Sequence, residues 1–221
     1  MTAWSYSSLT AFETCPKRYF HTRVAKDIVE PEGDALLWGS AVHKALENRV
    51  KDGTPLPTGM TQWEPICAKL LASPGEVFTE RQLCLNYRFQ PTAWYGDDAW
   101  VRGVVDVGVL RDDEIVALDY KTGKPKPDTD QLQLFAALLF ASHPEIDRIK
   151  TGYVWLKTNG VTVETYQREQ LPLIWGGFLG RVKRLEGSFK DDHWPEKPSG
   201  LCRAWCPCTG CKFNGRYGAH S

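Results

Sequence analysis

Three consecutive strand patterns in the middle of the chain constrain its fold more than any other feature. Residues 80–89, 100–110 and 114–121 are rich in the β-branched and aromatic residues that favour strands. Turn-rich segments separate them, Gly96-Asp97-Asp98 after the first and Arg111-Asp112-Asp113 after the second. Connections of this kind join neighbouring strands as hairpins. The pattern therefore predicts an antiparallel β meander.

Helical patterns lie on both sides of this meander. Before it, the spacing predicts helices over 6–14, from Gly39-Ser40 to Gly53 and over 63–71; after it, over 129–140 and 171–189. Residues 150–157 and 161–166 are typical of a further hairpin. The 221 residues, 42% of them apolar and nine of them Trp, can supply one large core. We therefore predict an α/β (α+β) fold, a central mixed β-sheet flanked by helices, in a single domain spanning 1–221.

Two carboxylates and one amine lie where the second and third predicted strands end. Asp106 follows the run 101–105, and Asp119 and Lys121 follow 115–118. Because side chains alternate along a strand, Asp119 and Lys121 project from the same face. Two carboxylates and a lysine on a rigid sheet are enough to bind a hard divalent cation and activate a water molecule beside it. Taken alone, these residues also fit an exposed acidic hairpin.

Two more polar residues lie on the neighbouring helical patterns. His43 lies beside the apolar stripe of the helix that ends at Gly53. Gln131 shares one face of the apolar helix 129–140 with Phe135 and is close in sequence to Lys121. A histidine at the margin of a helix is either a ligand or an ordinary boundary residue. The pattern leaves both interpretations open.

Positive charge in this chain is local rather than global. The 27 basic residues balance 27 acidic residues, so only a basic patch could attract an anionic partner. Residues 17–23 form one basic and aromatic stretch. From Lys197 onward there is no Asp or Glu, and basic residues alternate with aromatic ones: Lys197, Arg203, Trp205, Lys212, Phe213, Arg216 and Tyr217. Both stretches suit contact with phosphates and bases, and both also fit a solvated surface.

The lack of a leader or apolar segment predicts a cytoplasmic protein, and the cysteines predict a metal site. The N-terminus has no basic and apolar leader, and nowhere do 18 apolar residues follow one another, so we expect no membrane partner. Disulfides are not expected in a reducing compartment. Four of the seven cysteines fall within ten residues, Cys202, Cys206, Cys208 and Cys211, a density typical of metal binding. Cys67 and Cys84 follow helix and strand patterns and are expected in the core.

The order of these elements resembles a known group of nucleases. Gly103-x-x-Asp106, a hairpin, Asp119-x-Lys121 and then Gln131-x-x-x-Phe135 at the start of a buried helix are similar to the core of the PD-(D/E)XK nuclease superfamily. The segment from Gly39 to His43, and the pairing of Cys15-Pro16 with the C-terminal cysteines, are similar to RecB-type and Cas4-like nucleases. The resemblance runs from residue 5 to about 213. It implies a restriction-endonuclease-like core over about 36–190.

The resemblance also implies a role for each matching residue. His43, Asp106 and Asp119 match the metal ligands of the family, and Tyr120 would add its backbone carbonyl. Lys121 matches the catalytic lysine, and Gln131 matches a positioning residue near the scissile phosphate. Oxygen ligands suit Mg²⁺ or Mn²⁺, and an imidazole suits the softer Mn²⁺. Phe135 departs from the family, which usually has Tyr there, so that hydroxyl is dispensable or supplied elsewhere.

In the iron–sulfur branch of this family, one cysteine before the core and three after it bind a 4Fe-4S cluster. Here that cluster would join segments 5–23 and 197–213. Cys15 matches the first ligand, and Cys202 and Cys211 keep the outer spacing of the other three. The middle ligand is ambiguous between Cys206, which we prefer, and Cys208. A zinc ion held by the four C-terminal cysteines is the competing interpretation.

We therefore expect a metal-dependent DNA nuclease, specifically an exonuclease on single strands or DNA ends in repair, recombination or replication. A bacterial cell, with or without a phage origin, is the expected setting, and a helicase or recombination protein is an expected partner. Two alternatives remain: a Cas4-like nuclease that processes CRISPR spacers, and a non-catalytic DNA-binding or assembly subunit. The complete set of His43, Asp106, Asp119 and Lys121 argues against the non-catalytic alternative.

Overall fold

The structure, a computed structural model, describes residues 3–30 and 32–215. Two predicted members of the C-terminal basic stretch, Arg216 and Tyr217, lie outside the described residues. The chain divides into two compact units: Ala3–Glu32 with the chain from Gly177 onward, and Gly33–Gly176. Within the part of the chain that is described, no helix has both the length and the apolar character needed to cross a membrane.

A five-stranded sheet forms the centre of the second unit. The strands run in the order β1 to β5 across the sheet: β1 Glu76–Leu85, β2 Val101–Leu110, β3 Glu114–Lys121, β4 Arg148–Trp155 and β5 Gly160–Gln167. Only β3 and β4 pair in parallel, and the other neighbours are antiparallel. The predicted mixed sheet flanked by helices is thus confirmed.

Helix α5 makes the crossover between the two parallel strands. It spans Asp130–Ser142, and eight of its residues are buried, because a helix that crosses a sheet inside the fold has little exposed surface. Gly103 on β2 allows this helix to approach closely. A Cβ at Gly103 would lie 2.6 Å from Cδ1 of Leu138. The glycine of Gly103-x-x-Asp106 therefore has a packing role beneath α5.

Helices α3 (Asp34–Asp52) and α4 (Glu64–Leu71) form a hydrophobic core together with the sheet of the second unit. Val42, Leu46 and Val50 of α3 pack with Val107 and Val109 of β2. The helix begins at Asp34, several residues before the start predicted after Gly39-Ser40. Its first turns are exposed, so they carry no apolar period. The periodicity located the buried part of the helix and not its beginning.

Strand β1 also differs from the prediction of residues 80–89. It ends at Leu85, and the chain then turns, because the side-chain oxygen of Asn86 accepts hydrogen bonds from the backbone N–H groups of Arg88 and Gln90. Phe89 has a positive φ of 58° and packs 4.6 Å from the ring of Trp175. Residues 86–100 are therefore a structured loop rather than a tight hairpin.

The first unit contains α1 (Tyr6–Thr14), α2 (Pro16–Tyr19), a π-helical segment (Phe20–Val24) and most of α6 (Leu171–Asp191). Ser5 caps α1 with a reciprocal hydrogen-bond pair to Ser8, which fixes the beginning of this predicted helix. Leu9, Phe12 and Phe178 are buried in this unit. The predicted helix boundary at Cys15 is confirmed, since that residue ends α1 and precedes Pro16.

Candidate active site

Asp106 lies where the ladder between β2 and β3 opens. The last paired residues before this point are Val107 and Leu118. Beyond them Oδ2 of Asp106 accepts a hydrogen bond of 2.8 Å from the backbone N–H of Tyr120. The carboxylate thus takes the place of a strand partner, which satisfies that N–H group and fixes the direction of the carboxylate.

Asp119, Lys121 and Gln131 form a closed triangle of contacts. Nζ of Lys121 lies 2.6 Å from Oδ2 of Asp119 and donates a hydrogen bond of 2.8 Å to Oε1 of Gln131. Nε2 of Gln131 donates in turn to Oδ1 of Asp119 at 2.8 Å. Alternation along β3 brings the acid and amine together, and the first turn of α5 supplies the amide. These three contacts fix the positions of the side chains relative to one another.

His43 joins this group from α3. Its Nδ1 lies 3.3 Å from Oδ2 of Asp106, and its ring meets the ring of Tyr120 edge-on, with 5.9 Å between the centroids. Burial lowers the pKa of His43, but the contact with Asp106 and the charges of Asp106 and Asp119 outweigh it, so the pKa is raised. His43 is thus in contact with a carboxylate rather than an isolated residue at a helix margin.

Asp119 is the most perturbed acid of the site. Only 4% of its surface is exposed. Burial, followed by the negative charge of Asp106, raises the pKa of Asp119 to about 6, while the ammonium of Lys121 opposes the shift. Two carboxylates held so close favour the binding of a cation, because a cation offsets both the burial and the mutual repulsion.

The donor set fits a hard divalent cation in its chemistry. Asp106 and Asp119 offer carboxylate oxygens and His43 an imidazole, whereas the side chain of Tyr120 is buried in the core around α3, so only its backbone could take part. Among residues 3–30 and 32–215, no three ligating side chains converge on one point. Asp119 is occupied by Lys121 and Gln131 instead. A cation would have to displace these side-chain contacts.

Sequence reasoning missed two further acids near this group. Glu80 lies between the paired residues of β1 and β2, opposite Asp106, and has a positive φ of 45°. Partial burial of its carboxyl group and the negative charges of Asp106 and Glu47 raise the pKa of Glu80. Glu47 follows His43 by one helical turn, a spacing that could have revealed it. Nothing in the local sequence distinguishes Glu80.

Phe135, where the family usually has Tyr, is buried, with 3% of its surface exposed. Its Cε1 would lie 3.5 Å from a Cβ built at Gly103. The ring therefore packs between α5 and β2, where a hydroxyl would require a partner. The residue fills space in the core.

Five cysteines line a single cavity in the first unit: Cys15, Cys202, Cys206, Cys208 and Cys211. Cys208 and Cys211 are buried, and burial together with the neighbouring thiols raises the pKa of Cys208 to about 12. The side-chain amide of Asn214 donates to the carbonyls of Cys206 and Cys208, at 3.1 and 3.0 Å, and so holds this segment in place. Cys67 and Cys84 are buried in the second unit, which confirms the prediction for them.

The basic stretch 17–23 is largely neutralised by contacts within its own unit. Lys17 pairs with Glu196 at 3.0 Å, Arg18 with Glu30 at 2.6 Å, and His21 lies 3.0 Å from Asp27. Lys197 donates to the backbone carbonyl of Glu13. These acids neutralise part of the charge of the stretch, and its contact with DNA stays a prediction.

Comparison with known proteins agrees with this geometry. A sequence profile of the PD-(D/E)XK nuclease superfamily matches residues 3–82 and 62–216. The fold is similar to that of a protein from Eubacterium rectale described as a candidate exonuclease, with a TM-score of 0.56 and 14% identity over 96% of this chain and 88% of the other. It is also similar to a protein named SSO0001, with a TM-score of 0.50 and 12% identity over 97% and 88%. Such low identities bear on the fold alone. No curated protein sequence matches the chain.

Proposed function

The chain belongs to the PD-(D/E)XK nuclease superfamily, and from this premise we propose that it is a divalent-metal-dependent deoxyribonuclease acting on single strands or DNA ends. The triangle of Asp119, Lys121 and Gln131 carries the proposal, because it holds a lysine and a buried carboxylate in direct contact at 2.6 Å. An exonuclease with a role in repair, recombination or replication is the form we favour. A helicase or recombination protein is the partner we propose.

Each residue has a distinct part in this proposal. Asp106, Asp119 and His43 would hold Mg²⁺ or Mn²⁺, with the backbone carbonyl of Tyr120 as a further ligand. The bound ion would supply Lewis-acid stabilisation of the charge on the phosphate. Lys121 orients the attacking water and offsets the charge that builds on the phosphate oxygens. Gln131 is a positioning residue, because it fixes both Lys121 and Asp119.

Replacement of Asp119 by Asn tests the proposal. The amide keeps the size of the side chain and an oxygen for Gln131, so the fold should survive, but the anionic ligand is lost. We expect cleavage of end-labelled single-stranded DNA in Mn²⁺ to fall at least a thousandfold, a loss of about 4 kcal/mol in transition-state stabilisation. Asp97→Asn, on the loop between β1 and β2, is the matched control. Equal cleavage by both variants would contradict the assignment, and DNA binding without cleavage by the unaltered protein would favour a non-catalytic role.

We also propose that the cysteine cavity holds a 4Fe-4S cluster. Thiols packed together in a buried cavity become thiolates only when a positively charged group compensates them. A zinc ion held by the four C-terminal cysteines would not need Cys15. Cys15 lines the same cavity as these four cysteines, and this supports the cluster over the zinc ion.

Cys15, Cys202 and Cys211 are the outer ligands of this proposal, and the middle ligand is Cys206 or Cys208. The sequence favoured Cys206, but Cys208 is 3% exposed whereas Cys206 is partly exposed, so the structure changes our preference to Cys208. Anaerobically purified protein should be brown, with iron and sulfide in equal amounts. Cys208→Ala should bleach it, while the matched Cys206→Ala should retain its colour. Colourless protein with one zinc ion would refute the cluster, and the reverse result for the two variants would assign Cys206.

A further inference from the structure

A cavity beside Lys121 has no part in the chemistry described above. Thr122, the next residue after Lys121, lines it, and so do Leu156 and Lys157, which follow the end of β4. Because β3 and β4 are parallel, both strands leave the sheet at this one edge. The volume is about 480 Å³, which is within the range of cavities that hold small organic ligands.

The walls of this cavity combine aromatic rings, amides and one ammonium group. Trp63 forms a fixed wall, because it is buried and its indole N–H donates to the backbone carbonyl of Leu156 at 3.1 Å. Gln62 and Asn159 contribute amide groups, and Lys157 is exposed. No Asp or Glu occurs among the described residues that line the cavity. The lining therefore suits a partly aromatic, anionic ligand.

Trp38, on the first turns of α3, forms the remaining wall. It is 48% exposed, and its neighbours Leu36 and Leu37 are 60% and 51% exposed. Adjacent large apolar side chains at a surface are typical of a binding site. An exposed indole at a cavity can stack on a nucleic-acid base, whatever the identity of that base.

Two exposed lysines are close in sequence to Thr122, one of the residues that line the cavity. Lys124 and Lys126 follow Thr122 in the segment that leads to α5, and both are exposed. With Lys157 they place positive charge at the edge of the sheet where Lys121 lies. A protein surface that combines positive charge with an aromatic side chain binds single-stranded nucleic acid, because the charge contacts the phosphates and the ring stacks on the bases.

We propose that this cavity is a nucleoside subsite, which takes the base and sugar next to the scissile phosphate of a single DNA strand. Trp38 stacks on the base, and Lys157 contacts the flanking phosphate. The inference rests on the nuclease function proposed above, because its occupant is the continuation of that substrate. Thr122 directly follows Lys121 in the chain and lines the cavity, so the cavity lies at the same edge of the sheet as Lys121.

The experiment measures binding in EDTA, where no cleavage can occur. The probe is a short single strand of deoxythymidylate with one 2-aminopurine placed at successive positions, since stacking on an indole quenches its fluorescence. We expect quenching at one position near the strand end, lost in Trp38→Ala and kept in Trp38→Phe. Trp38→Ala should bind at least fivefold more weakly, the lower limit of one base–aromatic stack. Leu37→Ala, an exposed neighbour outside the cavity lining, is the matched control.

A second pair of variants tests the charge. Lys157→Ala should reduce the slope of log affinity against log salt by about 0.7, the value of one contact to a single strand, whereas Lys69→Ala on α4 should leave it unchanged. Unaltered binding and quenching in Trp38→Ala would overturn the inference. So would equal losses in Leu37→Ala and Trp38→Ala, or the dissociation of an oligomer by both, which would identify a protein interface. Asp119→Asn should still show the quenching, so failure of the nuclease proposal is distinguishable from failure of the subsite.

Discussion

Gln131→Met tests whether the amide bridge between Lys121 and Asp119 sets the activity. Methionine has nearly the shape of glutamine and removes both hydrogen bonds, each of which measures 2.8 Å. Asp119 and Lys121 would still touch each other directly, since their charged atoms lie 2.6 Å apart. The substitution therefore removes orientation and leaves the charges in place.

The expected loss of activity follows from how exposed Lys121 and Asp119, the two partners of Gln131, are to water. The side chain of Lys121 is 31% exposed, so water can replace the hydrogen bond at that end. Asp119 is buried, and there the lost donor is not replaced. One buried hydrogen bond to a charged group contributes about 1.5–3 kcal/mol. We therefore expect kcat/KM to fall by about 10- to 150-fold, at 1.36 kcal/mol for each factor of ten.

The assay is hydrolysis of end-labelled single-stranded DNA at saturating Mn²⁺, with unfolding in urea measured in parallel. Gln133→Met, two residues further along α5, is the matched control and should retain full activity. Gln131→Glu should not rescue, because it keeps an acceptor for Lys121 but places a second negative charge against Asp119. Full activity in Gln131→Met, or a loss that merely follows unfolding, would refute the positioning role.

Two further predictions concern packing and pH. Gly103→Ala should lower the free energy of unfolding by about 1–3 kcal/mol, because its Cβ would meet Leu138 at 2.6 Å. Gly176→Ala is the control and should not destabilise α6, because there is open space around Gly176. Equal stability of the two variants in urea would contradict this account. The apparent affinity for Mn²⁺, measured by calorimetry, should weaken as pH falls through about 6, because burial and Asp106 raise the pKa of Asp119 to about 6 and the protonated carboxyl does not bind a cation. An affinity that stays constant down to about pH 5 would show that Asp119 is not a ligand.

The contacts among the candidate site residues on β3 and α5 could be predicted from the sequence because the relevant information is local. Alternation alone brings Asp119 beside Lys121, and a short connection brings Gln131 to the same end of the sheet. His43 was identified only through the resemblance, because its partner, Asp106, is distant in the chain and no local pattern shows that contact.

Other features could not be predicted, for two physical reasons. Hydrophobic periodicity records burial, so it missed the exposed first turns of α3 from Asp34 onward. The end of β1 at Leu85 depends on the side chain of Asn86, which satisfies backbone groups that a strand would otherwise pair. Glu80 becomes part of the acidic group through the pairing of β1 with β2, and pairing is not a local property.

The opening of the ladder between β2 and β3 gives Asp106 a partner that does not involve Asp119. Where strands separate, a backbone N–H group loses its partner, and Asp106 satisfies that of Tyr120. The buried charge of Asp119 is compensated by Lys121 at the end of β3 and by Gln131 of α5. Each carboxylate is thus stabilised by different groups, a backbone N–H for Asp106 and two side chains for Asp119. Burial, followed by the negative charge of Asp106, still raises the pKa of Asp119, and a divalent cation would offset both effects.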